Sequence, residues 1–280
     1  MGPIIVATDL SPRSDRAMLR AARIAKEQDA PLHILHILDE ELPAAILHGH
    51  AEDAKKTLQS RVDQTPEIAD RSPRVDIEVG HLSRLLPGIL SDRKPGLLVL
   101  GSHRDRGLAE LIGQPSLSRI MAVSDVPILL AVGEPDRDYA KALAGWDFSA
   151  AGNAAVDLSR RIAPDASLTL VHAWDDFAAV APYGGSMGVG ASPATVARLE
   201  ESMESAVADL HKTYPDATID QHTQMGGAAH VILRLAADRS ADLIVMGRHA
   251  RSGIARFFLG HTATAVALRS PCDVLIAPSS

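Results

Sequence analysis

Residues 247–262 read GRHARSGIARFFLGHT. A glycine opens the stretch, another stands near its end, and Arg248, Arg251 and Arg256 lie between them. The apolar run LIVM precedes it, and ATAVALRS, with helical spacing, follows. A strand, a glycine-bounded loop and a helix together make a phosphate cradle. Glycines let backbone amides approach the oxygens, the helix N-terminus adds a favourable dipole, and arginines supply positive charge. Two other stretches carry reactive residue types. GGSMG at 184–188 has the G-x-S-x-G spacing of a nucleophile elbow, with Ser186 at its centre. That motif needs a strand directly before it and a helix directly after. Here Ala181, Pro182 and Tyr183 precede it and VGASP follows, so it reads as a flexible loop. HGH at 48–50 offers two imidazoles, but no HExxH or paired CxxC completes a metal set, and it reads as a surface loop or helix start. No G-x-x-x-x-G-K-[ST] loop occurs. Nothing assembles a nucleophile with a base, so a hydrolase at Ser186 or a slow ATPase is the least supported class, and we expect a binding protein.

The elements that position the cradle follow from an internal repeat. LLVLGSHRDRGLAEL (97–111) lies over LIVMGRHARSGIARF (243–257) at an offset of 146. LHILHILDE (32–40) lies over LTLVHAWDD (168–176) at 136, and VATDLS (6–11) over AGWDFS (144–149) at 138. The order is the same in each half, so the chain is a tandem duplication. We place the domains at 1–135 and 140–280, with the polar stretch GEPDRDYAK (133–141) at the join. In the first half the apolar runs 4–7, 32–38, 75–79, 97–100 and 128–132 read as strands. Ser11 can cap a helix that starts at Pro12, with Ala17, Ala21, Ile24 and Ala25 on its inner face. The links between strands are long, which makes the strands parallel. The expected fold class is α/β: two doubly wound domains, each a Rossmann-like five-stranded parallel sheet with helices on both faces. Ligands of such sheets sit beyond the carboxyl ends of the strands at the switch point. Asp9, Asp147 and both glycine loops fall there.

Composition agrees. Apolar residues make up 46% of 280 and aromatics only 3%, which suits cores of Ala, Leu, Ile and Val. A net charge of −7 argues against a nucleic-acid partner or an anionic membrane surface. No apolar run approaches the ~20 residues of a membrane span. The N-terminus lacks the basic region of a signal peptide. Cys272 is the single cysteine, which rules out an internal disulfide and suits a small buried hydrophobe in a reducing cytoplasm.

At this point the chain resembles the universal stress protein family, as a tandem member. The residues that carry the resemblance are VATDLS, LHILHILDE, LIVMGRH and the endings SDVPILLAV and SPCDVLIAP. The resemblance implies a stress-response regulatory module. It also implies a signature loop of Gly, two residues, Gly, nine residues, Gly, then Ser or Thr, which holds the phosphates of ATP. Carried onto the second half, the site comprises Asp147 and Ala173 on the adenine and ribose side, with Met246, Gly247, Ala250, Gly260, His261 and Thr262 along the loop. Ala250 replaces the middle glycine, and His261 replaces the Ser. The first half departs further. Gly101 is kept, but Arg104 and Gln114 stand at the other glycine positions and Gly113 comes one residue early. Pro115 has no amide proton, and Asp105 and Glu110 replace Arg251 and Arg256. His103 and His249 coincide because of the repeat. Two functions stay open: a module binding an adenine nucleotide in domain 2, or a nucleotide-free interaction or scaffold protein. The resemblance also implies that the final strands 127–132 and 274–279 cover each other in an internal pseudo-dimer, and leaves a further homodimer open.

Overall fold

The structure, a computed structural model, describes residues 1–38, 44–101, 124–174, 193–248 and 260–278. The first half contains β1 (Ile4–Thr8), α1 (Pro12–Glu27), β2 (Leu32–Leu38), α2 (Ala44–Gln64), α3 (Pro66–Ala69), β3 (Arg74–Val79), α4 (Leu82–Arg93), β4 (Leu97–Gly101) and β5 (Ile128–Ala131). The second contains β6 (Lys141–Gly145), α5 (Ala150–Ile162), β7 (Ser167–Trp174), α6 (Pro193–Thr213), β8 (Ile219–Met225), α7 (Ala228–Asp238), β9 (Leu243–Gly247), α8 (His261–Arg269) and β10 (Asp273–Ala277).

Within each half all strand pairs are parallel, in the order β3-β2-β1-β4-β5 and β8-β7-β6-β9-β10. The order reverses between β1 and β4 and between β6 and β9, which fixes a switch point in each half. The two sheets do not stay separate. β5 and β10 pair antiparallel, with Ile128 opposite Ile276 and Leu130 opposite Val274, and the result is one ten-stranded sheet. The pseudo-dimer expected from the last strands is therefore a continuous sheet, and each apolar edge is covered by the other.

The helices begin where the local chemistry dictates. The Ser11 side chain accepts from the Ser14 amide at the start of α1, with Pro12 in the first turn, and the Ser149 side chain accepts from the Gly152 amide at the start of α5. Each cap contributes about 1 kcal/mol. Alternating strand residues fill two cores, one on each face, and both run across the two halves. Ile4, Val6, Ala144 and Val245 face α1, α2, α3, α5 and α6 through residues such as Ala21, Leu58, Ile68, Val156 and Met203. Ile5, Leu98, Ile244 and Val274 face α4, α7 and α8 through Leu86, Ile232 and Val266. Cys272 is buried in the second core. No helix of the described residues is long and apolar enough to cross a membrane.

Candidate functional site

The clefts form at the strand ends, beginning with a tight turn. The chain leaves β1 through Thr8-Asp9-Leu10-Ser11 and leaves β6 through Trp146-Asp147-Phe148-Ser149. Leu10 and Phe148 hold left-handed φ values of 62° and 60°, a conformation that costs a residue with a Cβ roughly 1–2 kcal/mol. The aspartates offset that cost. Asp9 Oδ1 accepts from the Ser11 amide at 3.0 Å, and Asp147 Oδ1 accepts from the Ser149 amide at 3.2 Å and the Ser149 hydroxyl at 2.5 Å. The turn sets the carboxylate at the cleft rim and starts the next helix in the same stroke. A histidine on the neighbouring strand reinforces it. His36 Nδ1 donates to the Thr8 carbonyl at 2.7 Å, and His172 Nδ1 donates to that of Trp146 at 2.8 Å. The coincidence of these histidines in the repeat thus reflects a brace between strands.

In the second half a cavity of about 210 Å3 opens at the switch point. Asp147, Ala173, Met246, Gly247, Gly260 and Thr262 line it, which brings six of the eight sequence-derived site residues together. His261 is exposed at the first position of α8 and is not among the lining residues, and Ala250 lies outside the described residues. Gly145, Trp146, Val171, Ala228 and Ile232 complete apolar walls that no motif announced. Gly145 and Trp146 adjoin Asp147 in sequence, but Ala228 and Ile232 arrive on α7 with no local signal. The first turn of α8 borders the cavity at Gly260, Thr262 and Ala263. Gly260, the N-cap, has no side chain to cap that helix start, whose positive dipole end lies beside the cavity.

The glycines differ in what they do. A Cβ on Gly247 would lie 2.3 Å from the Ala151 carbonyl oxygen, and one on Gly101 would lie 3.1 Å from that of Arg13. The last residue of β9 and of β4 therefore lies against the start of α5 and of α1; packing alone demands glycine at 247, whereas at 101 the contact is tight but a small shift would relieve it. Gly260 has a φ of −53°, and a Cβ there would meet nothing within 4 Å among the described residues.

Arg248, the first arginine of the loop, is buried. Its residue exposure is 3%, and Nη2 points across the junction of the halves to Asp125, 4.0 Å away. Burial pulls its pKa down, and the Asp125 charge partly offsets this. Arg248 is not among the described residues that line the cleft. Arg251, Arg256, His249, His103, Arg104, Gln114, Pro115 and the Ser186 stretch lie outside the described residues. Among the described residues no group of three or more His, Cys, Asp or Glu could hold a metal.

The first half has a matching cavity of about 200 Å3, lined by residues including Thr8, Asp9, Ser11, Arg13, Ser14 and Gly101. It is chemically different. Arg13 Nη2 stands 3.7 Å from Asp9, whereas Ala151 occupies the corresponding place in the second half. Burial raises the Asp9 pKa, but hydrogen bonds from Ser11 and Ser14 and the Arg13 charge outweigh it, and the net shift is downward. Leu82 lines this cavity where Ala228 lines the other.

With fold and clefts in place, the comparisons agree. The profile of the universal stress protein family matches twice, over residues 1–131 and 138–278, and the chain belongs to that family. A universal stress protein of Mycolicibacterium smegmatis is 23% identical, over 98% of this chain and 96% of its own. Universal stress protein Rv2623 of Mycobacterium tuberculosis is 25% identical, over 99% and 96%. The crystal structure of a universal stress protein from Archaeoglobus fulgidus superposes with a TM-score of 0.68 at 16% identity, covering 99% of this chain and 98% of that one.

Proposed function

We propose that this protein is a regulatory module of the stress response. In this reading domain 2 binds an adenine nucleotide, ATP, and domain 1 does not. The observation that carries the reading is Gly260. Packing explains Gly247, but among the described residues no neighbour requires a glycine at the start of α8, beside a cavity of about 210 Å3. Omission of a Cβ there leaves the helix amides open to an anion. Gly260 and Thr262 would hold phosphate, and Asp147 and Ala173 would border the base and ribose. Arg104, Gln114 and Pro115 at the signature positions, with Asp105 and Glu110 in place of two arginines, weigh against the same ligand in domain 1. The module acts by binding, not catalysis, in the cytoplasm.

One observation favours a nucleotide-free scaffold instead. Gly247 is required by packing and Gly101 is tightly packed, so their presence needs no ligand. Mass spectrometry of the purified, denatured protein decides between the two. Co-purified ATP or AMP is expected. Absence of any nucleotide, together with no heat of ATP binding by titration calorimetry, overturns the first reading.

A further inference from the structure

A buried ionic cluster joins the two halves and occurs only once. Asp273, on β10 of the second half, is 1% exposed. Its Oδ1 accepts from the amides of Val132 at 2.7 Å and Gly133 at 2.6 Å, where the chain leaves β5 of the first half. Its Oδ2 accepts from the Tyr139 hydroxyl at 2.6 Å and lies 3.0 Å from Arg20 Nε on α1, an ion-pair contact without hydrogen-bond alignment. The other Arg20 nitrogens donate to the carbonyls of Arg137 and Glu134, and the guanidinium lies 4.4 Å over the Tyr139 ring. Burial first, then the Asp273 charge, hold the Tyr139 phenol well above its ordinary pKa, so it stays a donor.

The repeat supplies a control. By its offsets the counterpart of Asp273 is Pro127 and that of Arg20 is Leu158. Two copies of the second half paired β10 to β10 would bury two carboxylates against leucines. Two copies of the first half paired β5 to β5 would bury two guanidinium groups against prolines. A buried charge without its mate is strongly destabilising. Only a first half against a second half satisfies both groups.

We infer that the Arg20–Asp273 pair makes the β5·β10 edge selective, so that domain 1 is the dedicated partner of domain 2 and like halves do not pair. The inference does not depend on what the clefts hold.

The test keeps both halves in one preparation. A protease site is placed at exposed Asp136 of the full chain, and the folded protein is cleaved, unfolded in urea, refolded and weighed by native mass spectrometry. A one-to-one complex of unlike halves is expected, favoured over like pairs by more than roughly a hundred-fold. The Arg20→Leu/Asp273→Leu chain, treated in the same way, should yield like pairs as well. Abundant like pairs from the unsubstituted chain, or unchanged exclusion in the double variant, overturns the inference. The uncleaved chain provides a second measurement that does not require the halves to refold. Each single substitution strands one buried charge, so the double variant should have a higher Tm than either single variant. Losses that simply add overturn the inference.

Discussion

Gly247 and Ala151 approach so closely that a single methyl on the first would stand 2.3 Å from the carbonyl oxygen of the second. Gly247→Ala should therefore cost about 3 kcal/mol or more by forcing β9 away from α5. Urea denaturation measures it through a lowered midpoint at unchanged slope. A loss below about 1 kcal/mol would mean that the strand end shifts freely.

Gly260 should respond far more mildly. It is the N-cap of α8 with φ at −53°, and among the described residues nothing lies within 4 Å of a new Cβ, so Gly260→Ala should cost only the exchange of a favoured N-cap residue, about 1 kcal/mol or less. ATP affinity measured by calorimetry should fall. Unchanged affinity would remove Gly260 from the nucleotide reading while leaving the fold untouched.

Repair of the loop should strengthen binding. Ala250→Gly with His261→Ser restores the family pattern, and relief of about 1.4 kcal/mol of strain or obstruction corresponds to a ten-fold tighter Kd. Equivalent changes in the first half should gain less. There Arg104, Gln114, Pro115 and the two acids Asp105 and Glu110 must all be overcome. Titration of both repaired proteins at matched salt checks the difference.

Asp76 gives stability a pH dependence. Burial raises its pKa, but hydrogen bonds from Arg74 and Arg93 and their charges outweigh it, leaving the folded-state value below the ordinary 3.8. A lowered carboxyl pKa stabilises the fold above the unfolded value and loses that contribution as pH falls through the folded one. Asp76→Asn should thus destabilise at pH 7, and the gap to the unsubstituted protein should shrink as pH drops below about 4. Thermal melts across that range measure it, and a gap constant with pH would count against the assignment.

Ser186→Ala should change neither stability nor ATP binding, because its motif lacks the flanking strand and helix in sequence. Covalent labelling of Ser186 by a fluorophosphonate probe would contradict this.

The sequence by itself determined what depends on near neighbours. Apolar alternation and long links gave parallel strands. Ser11 marked a helix start, and the structure shows both it and its repeat counterpart Ser149 bonded to amides three residues on. The repeat showed two copies of one fold, and strand ends located the clefts, because a ligand site in a doubly wound sheet follows from its topology. Tertiary structure decided what depends on residues far apart in the chain. Arg248 looks like a phosphate ligand beside Gly247 in sequence, yet its side chain crosses to Asp125. Gly247 looks like part of a ligand loop, yet it answers to Ala151 on another element. Arg20 and Asp273 carry no local signal at all. Their meaning arises when β5 and β10 pair, because burial turns two ordinary charges into groups that require each other.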